Sequence, residues 1–237
     1  MSALFPLVVE AAKTTRRAKV LAGPVDLRFE AEGTTVVIGP NGAGKTSLLR
    51  MLHGTARLSG GRISWACGTE EARHHQAFVF QRPIMLRRSV EENLIYPLRI
   101  RGIDRAEARE KAHQWAQRVG LAGMMDRAAP SLSGGEQQKL ALARALITDP
   151  KVVFLDEPCA SLDGRAMREI EEVLMTARTG GTRLIMSTHD MGQARRLADD
   201  VIFLLHGKVH ECADAANFFL TPRTQQGRAF LRGDIVE

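Results

Sequence analysis

The chain has 237 residues, of which 44% are hydrophobic and 5% aromatic, and its formal net charge is +6. This length suits one large domain or a domain with a subdomain, and the apolar content allows a substantial core. No apolar run approaches the roughly 20 residues that a membrane-spanning helix needs. The basic residues are scattered and are not interleaved with aromatic residues, so we expect no nucleic acid as a partner.

Three cysteines occur in the chain, Cys67, Cys159 and Cys212. Because they are few and odd in number, a disulfide framework is not expected. The composition therefore excludes a disulfide-stapled secreted domain and fits a reducing cytosol.

Residues 7–80 are predicted to be mostly β-strands. Apolar residues alternate with polar ones over 25–29, Gly33 turns the chain, and Gly60-Gly61 is predicted to be a turn before a strand at 62–65. A short apolar run at 77–80 predicts another strand.

One segment in this part, GPNGAGKT from Gly39 to Thr46, fits the phosphate-loop pattern G-x-x-x-x-G-K-[ST]. An apolar stretch at 35–38 precedes it and a helical pattern at 47–52 follows, which is the strand–loop–helix context that the pattern requires. Its glycines let backbone N–H groups face an anion, and the helix N-terminus adds partial positive charge. We expect Lys45 to reach the β- and γ-phosphates of a nucleoside triphosphate and Thr46 to ligate Mg²⁺. The predicted nucleotide-binding residues of this loop are Gly39, Pro40, Asn41, Gly42, Ala43, Gly44, Lys45, Thr46 and Ser47.

From residue 89 to residue 146 the pattern becomes helical. Ser89 with Glu92, and Asp104 with Glu107, have the spacing of capping boxes at helix N-termini. We expect a helical insert at about 87–132 within a mixed α/β core.

The segment LSGGEQQ, residues 132–138, opens a further helix. Ser133 and Glu136 again have capping-box spacing. Because Gly134 and Gly135 carry no side chain, the N–H groups of this helix start are open to an anion. Since the chain already has a phosphate loop, we expect Ser133, Gly134 and Gly135 to serve a triphosphate held by another molecule.

After Pro150 strands alternate with helices, which indicates a parallel sheet. The predicted segments are strands at 152–155, 184–187 and 201–205, and helices at 164–178 and 191–198.

Three polar residues are predicted to meet at the carboxyl ends of these strands, beside the phosphate loop. Asp156 and Glu157 follow the strand at 152–155, and His189 follows the strand at 184–187. Asp156 suits Mg²⁺ binding, and Glu157 suits the role of general base for the attacking water. His189 is placed to donate a hydrogen bond to the γ-phosphate. Gln81 follows the strand at 77–80, where a neutral amide can contact both Mg²⁺ and the attacking water.

Taken together, the motifs resemble those of ATP-binding cassette (ABC) ATPases. The phosphate loop, Gln81, LSGGEQQ, Asp156-Glu157, SLD at 161–163 and His189 occur in that family's order, and the resemblance covers essentially the whole chain. It implies an α/β fold of the P-loop NTPase ABC type, with a mixed β-sheet core, an antiparallel β subdomain and a helical subdomain. We treat residues 1–237 as a single ABC ATPase domain, with 1–86 and 133–237 as the nucleotide-binding core and 87–132 as the helical subdomain.

The resemblance also implies partners. In this family two copies sandwich two ATP molecules, each between the phosphate loop of one subunit and the LSGG of the other, and the dimer closes on ATP and opens after hydrolysis. ATP and Mg²⁺ are the expected cofactors. Integral membrane permease subunits, and indirectly a substrate-binding protein, are the expected partners, at the cytoplasmic face of the inner membrane. Permease docking is predicted near Ile84, Met85 and Leu86, which look exposed.

The chain departs from the family at two positions. The family usually stacks adenine on an aromatic residue before the phosphate loop, whereas this chain has Ala12 to Arg17 there, with no aromatic ring. Our hypothesis is that the guanidinium plane of Arg16 or Arg17 substitutes, with weak base selectivity. Cys159 stands where threonine is common, and we interpret it as a packing residue.

Two other classes of NTP-hydrolysing protein fit the sequence less well. A GTPase or soluble kinase is not favoured, because no N-K-x-D motif occurs and LSGGEQQ has no role there. A DNA-maintenance ATPase of the same superfamily usually carries a long coiled coil between phosphate loop and LSGG, and no sustained heptads occur here. The segment 81–103 and the region from 189 to 233 resemble bacterial tungstate importer ATPases. Phosphate and polar amino acid importer ATPases are the alternatives.

Overall fold

The computed structural model describes residues 3–160, 162–234 and 236. Its strands are β1 (Leu7–Arg16), β2 (Lys19–Phe29), β3 (Thr34–Ile38), β4 (Gly60–Trp65), β5 (Gln76–Val79), β6 (Val152–Asp156), β7 (Arg183–Ser187), β8 (Asp200–Leu205) and β9 (Lys208–Asp214). Its α-helices are α1 (Lys45–His53), α2 (Thr69–Arg73), α3 (Val90–Ile100), α4 (Arg105–Arg118), α5 (Gly134–Leu146), α6 (Gly164–Thr179), α7 (Met191–Leu197), α8 (Ala215–Leu220) and α9 (Gln225–Arg232). Short 3₁₀ helices lie at Ala122–Met124 and Ala129–Ser131.

Within the described residues the strands form two sheets. One is antiparallel, with the order β2-β1-β4, and the other has the order β5-β6-β7-β3-β8-β9. Neighbours in the second sheet are parallel except β8 and β9, which pair antiparallel. The predicted mixed core sheet with an antiparallel β subdomain is confirmed.

The central strands of the mixed sheet are buried on both faces. Every residue of β3, β6 and β7 is buried, as expected for short apolar strands covered by helices on both sides. Strand β7 lies between β6 and β3, and Asp156 at the end of β6 is paired with Ser187 at the end of β7. The carboxyl ends of three strands therefore meet at one edge of the sheet.

Buried hydrophobic residues in the described part of the chain form three clusters. The first lies between the antiparallel sheet, α1 and one face of the mixed sheet, and the second packs α5, α6 and α7 on the other face. The third joins α3, α4 and the C-terminal part of α5. Helix α5 thus belongs to both the second and the third cluster, so it connects the helical region to the core. We keep 87–132 as the proposed helical subdomain.

Capping boxes were predicted at the starts of α3 and α4, and the structure has the first but not the second. Ser89 and Glu92 form the predicted capping box at the start of α3. Asp104 caps α4 by accepting the N–H of Ala106. The capping box predicted with Glu107 is wrong, because the Glu107 carboxylate pairs with Lys111 one turn further on.

Two predicted boundaries in the N-terminal part also change. Gly60 and Gly61 belong to strand β4, where Gly60 pairs with Lys13 of β1, and they do not form a turn before the strand. Gly61 has φ +74, and a Cβ there would lie 2.2 Å from the carbonyl oxygen of Ala11, so only glycine fits. The strand predicted at 77–80 is Gln76–Val79.

No helix in the part of the chain that the structure describes combines the length and hydropathy needed to cross a bilayer.

Candidate functional site

The phosphate loop connects β3 to α1 at the edge where the central strands end. Gly39 has φ +147 and Gly44 has φ +101, and a Cβ at either position would lie within 2.4 Å of a backbone oxygen of Leu204 or Leu21. The tight loop therefore requires glycine at both positions. Lys45 is only 6% exposed, and its Nζ donates to the carbonyl oxygens of Gly39 (2.9 Å) and Pro40 (3.3 Å). The loop thus wraps around its own lysine and concentrates positive charge at one point.

Asp156 lies beside the first residues of α1. Its Oδ1 accepts hydrogen bonds from Thr46 Oγ1 and from Ser187 Oγ, both at 2.9 Å, and the residue is 3% exposed. The sequence placed Thr46 and Asp156 together and missed Ser187. The signal for Ser187 was present, since a hydroxyl ends an otherwise apolar strand next to the strand of Asp156.

Glu157 is the next residue, and its carboxylate is the meeting point of three predicted site residues. Its Oε2 accepts from Gln81 Nε2 at 3.0 Å and lies 3.1 Å from His189 Nδ1, while its Oε1 lies 3.6 Å from Lys45 Nζ. The side chain is 13% exposed. Gln81 follows β5, His189 follows β7 and Lys45 opens α1, so the fold brings together residues from three separate parts of the chain.

The backbone of Glu157 is held in an unusual conformation. Its φ is +46, which is strained for a residue other than glycine. Its N–H donates to the carbonyl oxygen of Ser187 at 3.2 Å and to Ser187 Oγ at 3.1 Å. Strand β7 therefore fixes this turn, which separates the directions of the Asp156 and Glu157 side chains.

The residues near Asp156 fit a magnesium ion that is completed by nucleotide phosphates. A carboxylate, a threonine hydroxyl and an amide oxygen are hard oxygen ligands, and Mg²⁺ is usually bound by one or two such groups together with phosphates. No group of three or more histidine, cysteine or acidic side chains that could hold a metal alone exists among the described residues. The candidates on this chain are Thr46, Gln81 and Asp156.

A cleft of about 590 Å³ runs over this arrangement. Its walls include most of the predicted phosphate loop, with Gln81 and Glu157 at one end. Its remaining lining residues are Lys19, Val20, Leu21, His206 and Gly207. These five come from β2 and the β8–β9 turn.

The hypothesis that Arg16 or Arg17 supplies the base platform is not supported by the cleft. Neither arginine is among the described residues that line it, whereas Val20 lines it and is 44% exposed. An exposed aliphatic side chain provides apolar contact without the ring stacking that an aromatic residue gives. We therefore still expect the site to discriminate only weakly between nucleotide bases, with Val20 as the residue that contacts the base.

The LSGG segment lies at the start of α5 and outside this cleft. Ser133 accepts the N–H of Glu136, and Glu136 accepts the N–H of Ser133, so the predicted capping box is formed. The backbone bond from Ser133 holds the pKa of Glu136 below its usual value, with a further contribution from the Ser133 hydroxyl. A Cβ on Gly134 would meet nothing within 4 Å, so this helix start is open to a ligand from outside.

The neighbouring SLD segment begins with Ser161, which lies outside the described residues. Cys159, just before it, is 6% exposed and packs in the second hydrophobic cluster. Burial raises the pKa of its thiol to about 11. These observations agree with a packing role for Cys159.

The apolar segment after Gln81 is less exposed than the sequence suggests. Ile84 is 70% exposed, as predicted, but Met85 and Leu86 are only partly exposed. Met85 packs against the second and third hydrophobic clusters, and the backbone of Leu86 is bonded to the Asn93 side chain. Ile84 is therefore the apolar side chain that this segment presents to solvent.

A larger cavity, of about 730 Å³, lies among α4, α5 and α6. None of the predicted site residues lines it. The smaller cleft is therefore the candidate site, because the phosphate loop and the strand-end carboxylate of Glu157 line it.

Known proteins are similar to this chain in sequence and in fold. Residues 22–160 match the ABC transporter family. The chain is 40% identical over 188 residues to the tungstate uptake system ATP-binding protein TupC of Peptoclostridium acidaminophilum, covering 78% of this chain and 87% of that protein. It is 37% identical over 231 residues to the phosphate import ATP-binding protein PstB 2 of Natronomonas pharaonis, covering 90% of this chain and 81% of that protein.

Among solved structures, the fold is similar to a dimeric post-hydrolysis state of the ATP-binding cassette MJ0796 bound to ADP and phosphate. The TM-score is 0.81 at 22% identity, over 88% of this chain and 98% of that chain. This likeness shows the fold, and the family match extends over more than half of the sequence. The chain belongs to the ABC transporter family and is an ATPase of that family.

Proposed function

We propose that this ATPase powers an importer whose cargo is an oxyanion such as tungstate, and that it works as an ATP-dependent homodimer bound to membrane permease subunits. The observation that carries the catalytic part is the convergence of Gln81, His189 and Lys45 on the Glu157 carboxylate. The 40% identity to a tungstate uptake ATP-binding protein supports the cargo. Phosphate and polar amino acids are the alternative cargoes, and phosphate is supported by the 37% identity to a phosphate import protein.

In the proposed mechanism the triphosphate lies along the phosphate loop, with Lys45 neutralising the charge of its β- and γ-phosphates. Bound Mg²⁺ would stabilise the negative charge that develops on the phosphates, and Thr46, Asp156 and Gln81 are the residues that would hold it. Glu157 accepts the proton of the attacking water, and Gln81 orients that water. His189 donates a hydrogen bond to the γ-phosphate.

The LSGG helix supports the dimer proposal. Ser133, Gly134 and Gly135 lie outside the chain's own cleft, so we infer that the Ser133 hydroxyl and the N–H groups of the two glycines contact a nucleotide held by a second molecule. In a two-fold dimer, each copy supplies the phosphate loop of one site and the LSGG segment of the other. In the importer, the substrate-binding protein acts through the permease. The proposed location is peripheral, on the cytoplasmic face of the inner membrane, with docking at the segment around Ile84.

Replacing the proposed base tests the catalytic assignment. We expect Glu157→Gln to bind Mg-ATP normally, to hydrolyse it at least about a hundredfold more slowly, and to accumulate as a dimer on gel filtration with ATP. Glu32→Gln, at an exposed position outside the cleft, is the matched control and should behave as wild type. Hydrolysis by Glu157→Gln at near wild-type rate would show that the base assignment is wrong.

The cargo needs a separate experiment. The chain is co-purified with its permease in membranes, and ATP hydrolysis is measured with binding proteins loaded with tungstate, phosphate or glutamate. We expect stimulation by the tungstate-loaded protein. Stimulation by only the phosphate- or glutamate-loaded protein would replace the proposed cargo with that alternative and leave the catalytic assignment intact.

A further inference from the structure

Helix α7 follows His189 directly and is too short to hold its own position. It has 7 residues, and isolated helices of this length are not stable in water. Asp190 caps it by accepting the N–H of Gln193 at 2.8 Å. The His189 side chain is 59% exposed and is bonded to Glu157. The turn that carries His189 is fixed on one side by Thr188, whose N–H donates to the Val37 carbonyl oxygen at 3.3 Å. Its other side depends on how α7 is anchored to the rest of the protein.

The anchor is a buried carboxylate on α6. Glu171 is 8% exposed, its Oε1 and Oε2 accept from Arg196 of α7 at 2.7 and 2.9 Å, and Oε1 also accepts from Gln193 at 3.3 Å. A bidentate arginine–carboxylate pair fixes orientation as well as distance. Three bonds thus join one residue of α6 to two residues of α7.

Helix α6 is itself firmly held. It has 16 residues, and its Ile170 and Leu174 are buried in the second hydrophobic cluster. Two residues before Glu171 along the helix, Glu169 pairs with Lys139 of α5, the helix that begins with LSGG. Helix α6 therefore connects the LSGG helix on one side to the His189 helix on the other.

We propose that Glu171 is a positioning residue for ATP hydrolysis, which acts by fixing α7 and thereby the direction of His189 toward the γ-phosphate. This inference rests on the proposed role of His189. The charge and the two-pronged geometry of Glu171 both matter, because a glutamine has only one oxygen to accept from Arg196. Glu171 touches neither the cleft nor the phosphate loop, so nucleotide affinity should not depend on it.

The test compares kcat with nucleotide affinity in the full-length chain. We expect Glu171→Gln to lower kcat about tenfold or more while the Kd for a fluorescent ATP analogue stays within about twofold of wild type. Glu172→Gln is the matched control, since Glu172 is the next residue on α6 and is exposed. A kcat of Glu171→Gln equal to that of Glu172→Gln would overturn the proposal.

A second comparison separates positioning from a general structural effect. If Glu171 acts through His189, then His189→Ala combined with Glu171→Gln should be no slower than His189→Ala alone. Multiplicative losses would overturn the proposal. If His189→Ala itself hydrolyses normally, the proposed role of His189 is the part that fails.

Arg196→Gln breaks the same ion pair from the other side and is the variant to use if Glu171→Gln does not fold. Arg196 is half exposed, and after its replacement the buried Glu171 carboxylate still accepts from the Gln193 amide. The proposal expects it to lower kcat with unchanged nucleotide affinity, again without a further loss in the His189→Ala background. Wild-type kcat in a folded Arg196→Gln variant would overturn it.

Discussion

Two neighbouring carboxylates at the end of β6 have different surroundings, and these decide their chemistry. Asp156 accepts hydrogen bonds from the hydroxyl groups of Thr46, at the start of α1, and Ser187, at the end of β7. These two bonds fix the orientation of its carboxylate. Glu157 faces an amide, an imidazole and an ammonium group. Both proposed roles could be inferred from the sequence, because an apolar strand ending in two acids beside a phosphate loop is where metal and water chemistry is expected.

Ser187 is the residue that links these two environments. Its hydroxyl donates to Asp156 and accepts the backbone N–H of Glu157, and the residue is fully buried. We expect Ser187→Ala to lower the free energy of unfolding by about 1–2 kcal/mol, because it removes one donor from a buried carboxylate. We also expect the Mg²⁺ concentration for half-maximal ATPase activity to rise. Urea unfolding and a Mg²⁺ titration measure the two effects. Ser59→Ala, whose hydroxyl bonds only to Lys13 at the surface, is the control. Equal Mg²⁺ dependence in the two variants would argue against this role.

His53 predicts a pH dependence of stability. Its ring packs against Phe78 and Phe154, with centroids 5.3 and 5.5 Å away, and burial lowers its pKa from 6.5 to about 4. Between these pH values the unfolded chain binds a proton that the folded protein does not. Stability is therefore lost as the pH falls below 6.5, by about 2 kcal/mol at pH 5 relative to neutral pH.

Comparison of urea unfolding at pH 7.5 and pH 5 measures this loss. We expect His53→Leu to lose less stability than wild type over this range, because the variant has no imidazole to protonate in the unfolded state. His74→Leu, at an exposed position nearby, should keep the wild-type loss. An unchanged pH dependence in His53→Leu would mean that other groups cause it.

At the scale of elements, local patterns predicted most of the fold near the site. The strands that carry the site were predicted because buried parallel strands have continuous apolar runs, and capping pairs marked the starts of α3 and α5. Helix α6 and strand β7 differ from their predicted ends by one residue.

The predictions that were wrong depend on contacts between distant parts of the chain. Gly60 and Gly61 lie in a strand because β1 runs beside them, with Gly60 paired to Lys13, 47 residues earlier in the sequence. A glycine pair gives no indication of such a long-range contact. Met85 is partly covered because it packs against two clusters built from the rest of the protein. Part of the cleft wall is formed by β2 and the β8–β9 turn, which sequence alone does not bring together.

At the scale of the whole molecule, the two segments that we propose as halves of a shared nucleotide site do not line the same cleft. The phosphate loop and Glu157 line the cleft, and LSGG lies at the start of α5 outside it. Two copies related by a two-fold axis would join each cleft to the partner's LSGG, so both halves would be used twice. The dimer proposal therefore predicts that defects in the two halves complement each other.

Ser133→Arg tests this at the LSGG half. The long cationic side chain fills the open helix start, so in a Glu157→Gln background we expect normal ATP binding by the monomer and no dimer on gel filtration. Ser131→Arg, two residues away and also exposed, should still dimerise.

The second test uses the phosphate-loop half. Lys45→Ala in the same Glu157→Gln background should also fail to dimerise, because the cleft of this variant no longer binds phosphate. A mixture of the Ser133→Arg and Lys45→Ala chains contains one intact shared site per heterodimer, so dimers should reappear on mixing. Dimerisation of the Ser133→Arg chain by itself would rule out the shared site.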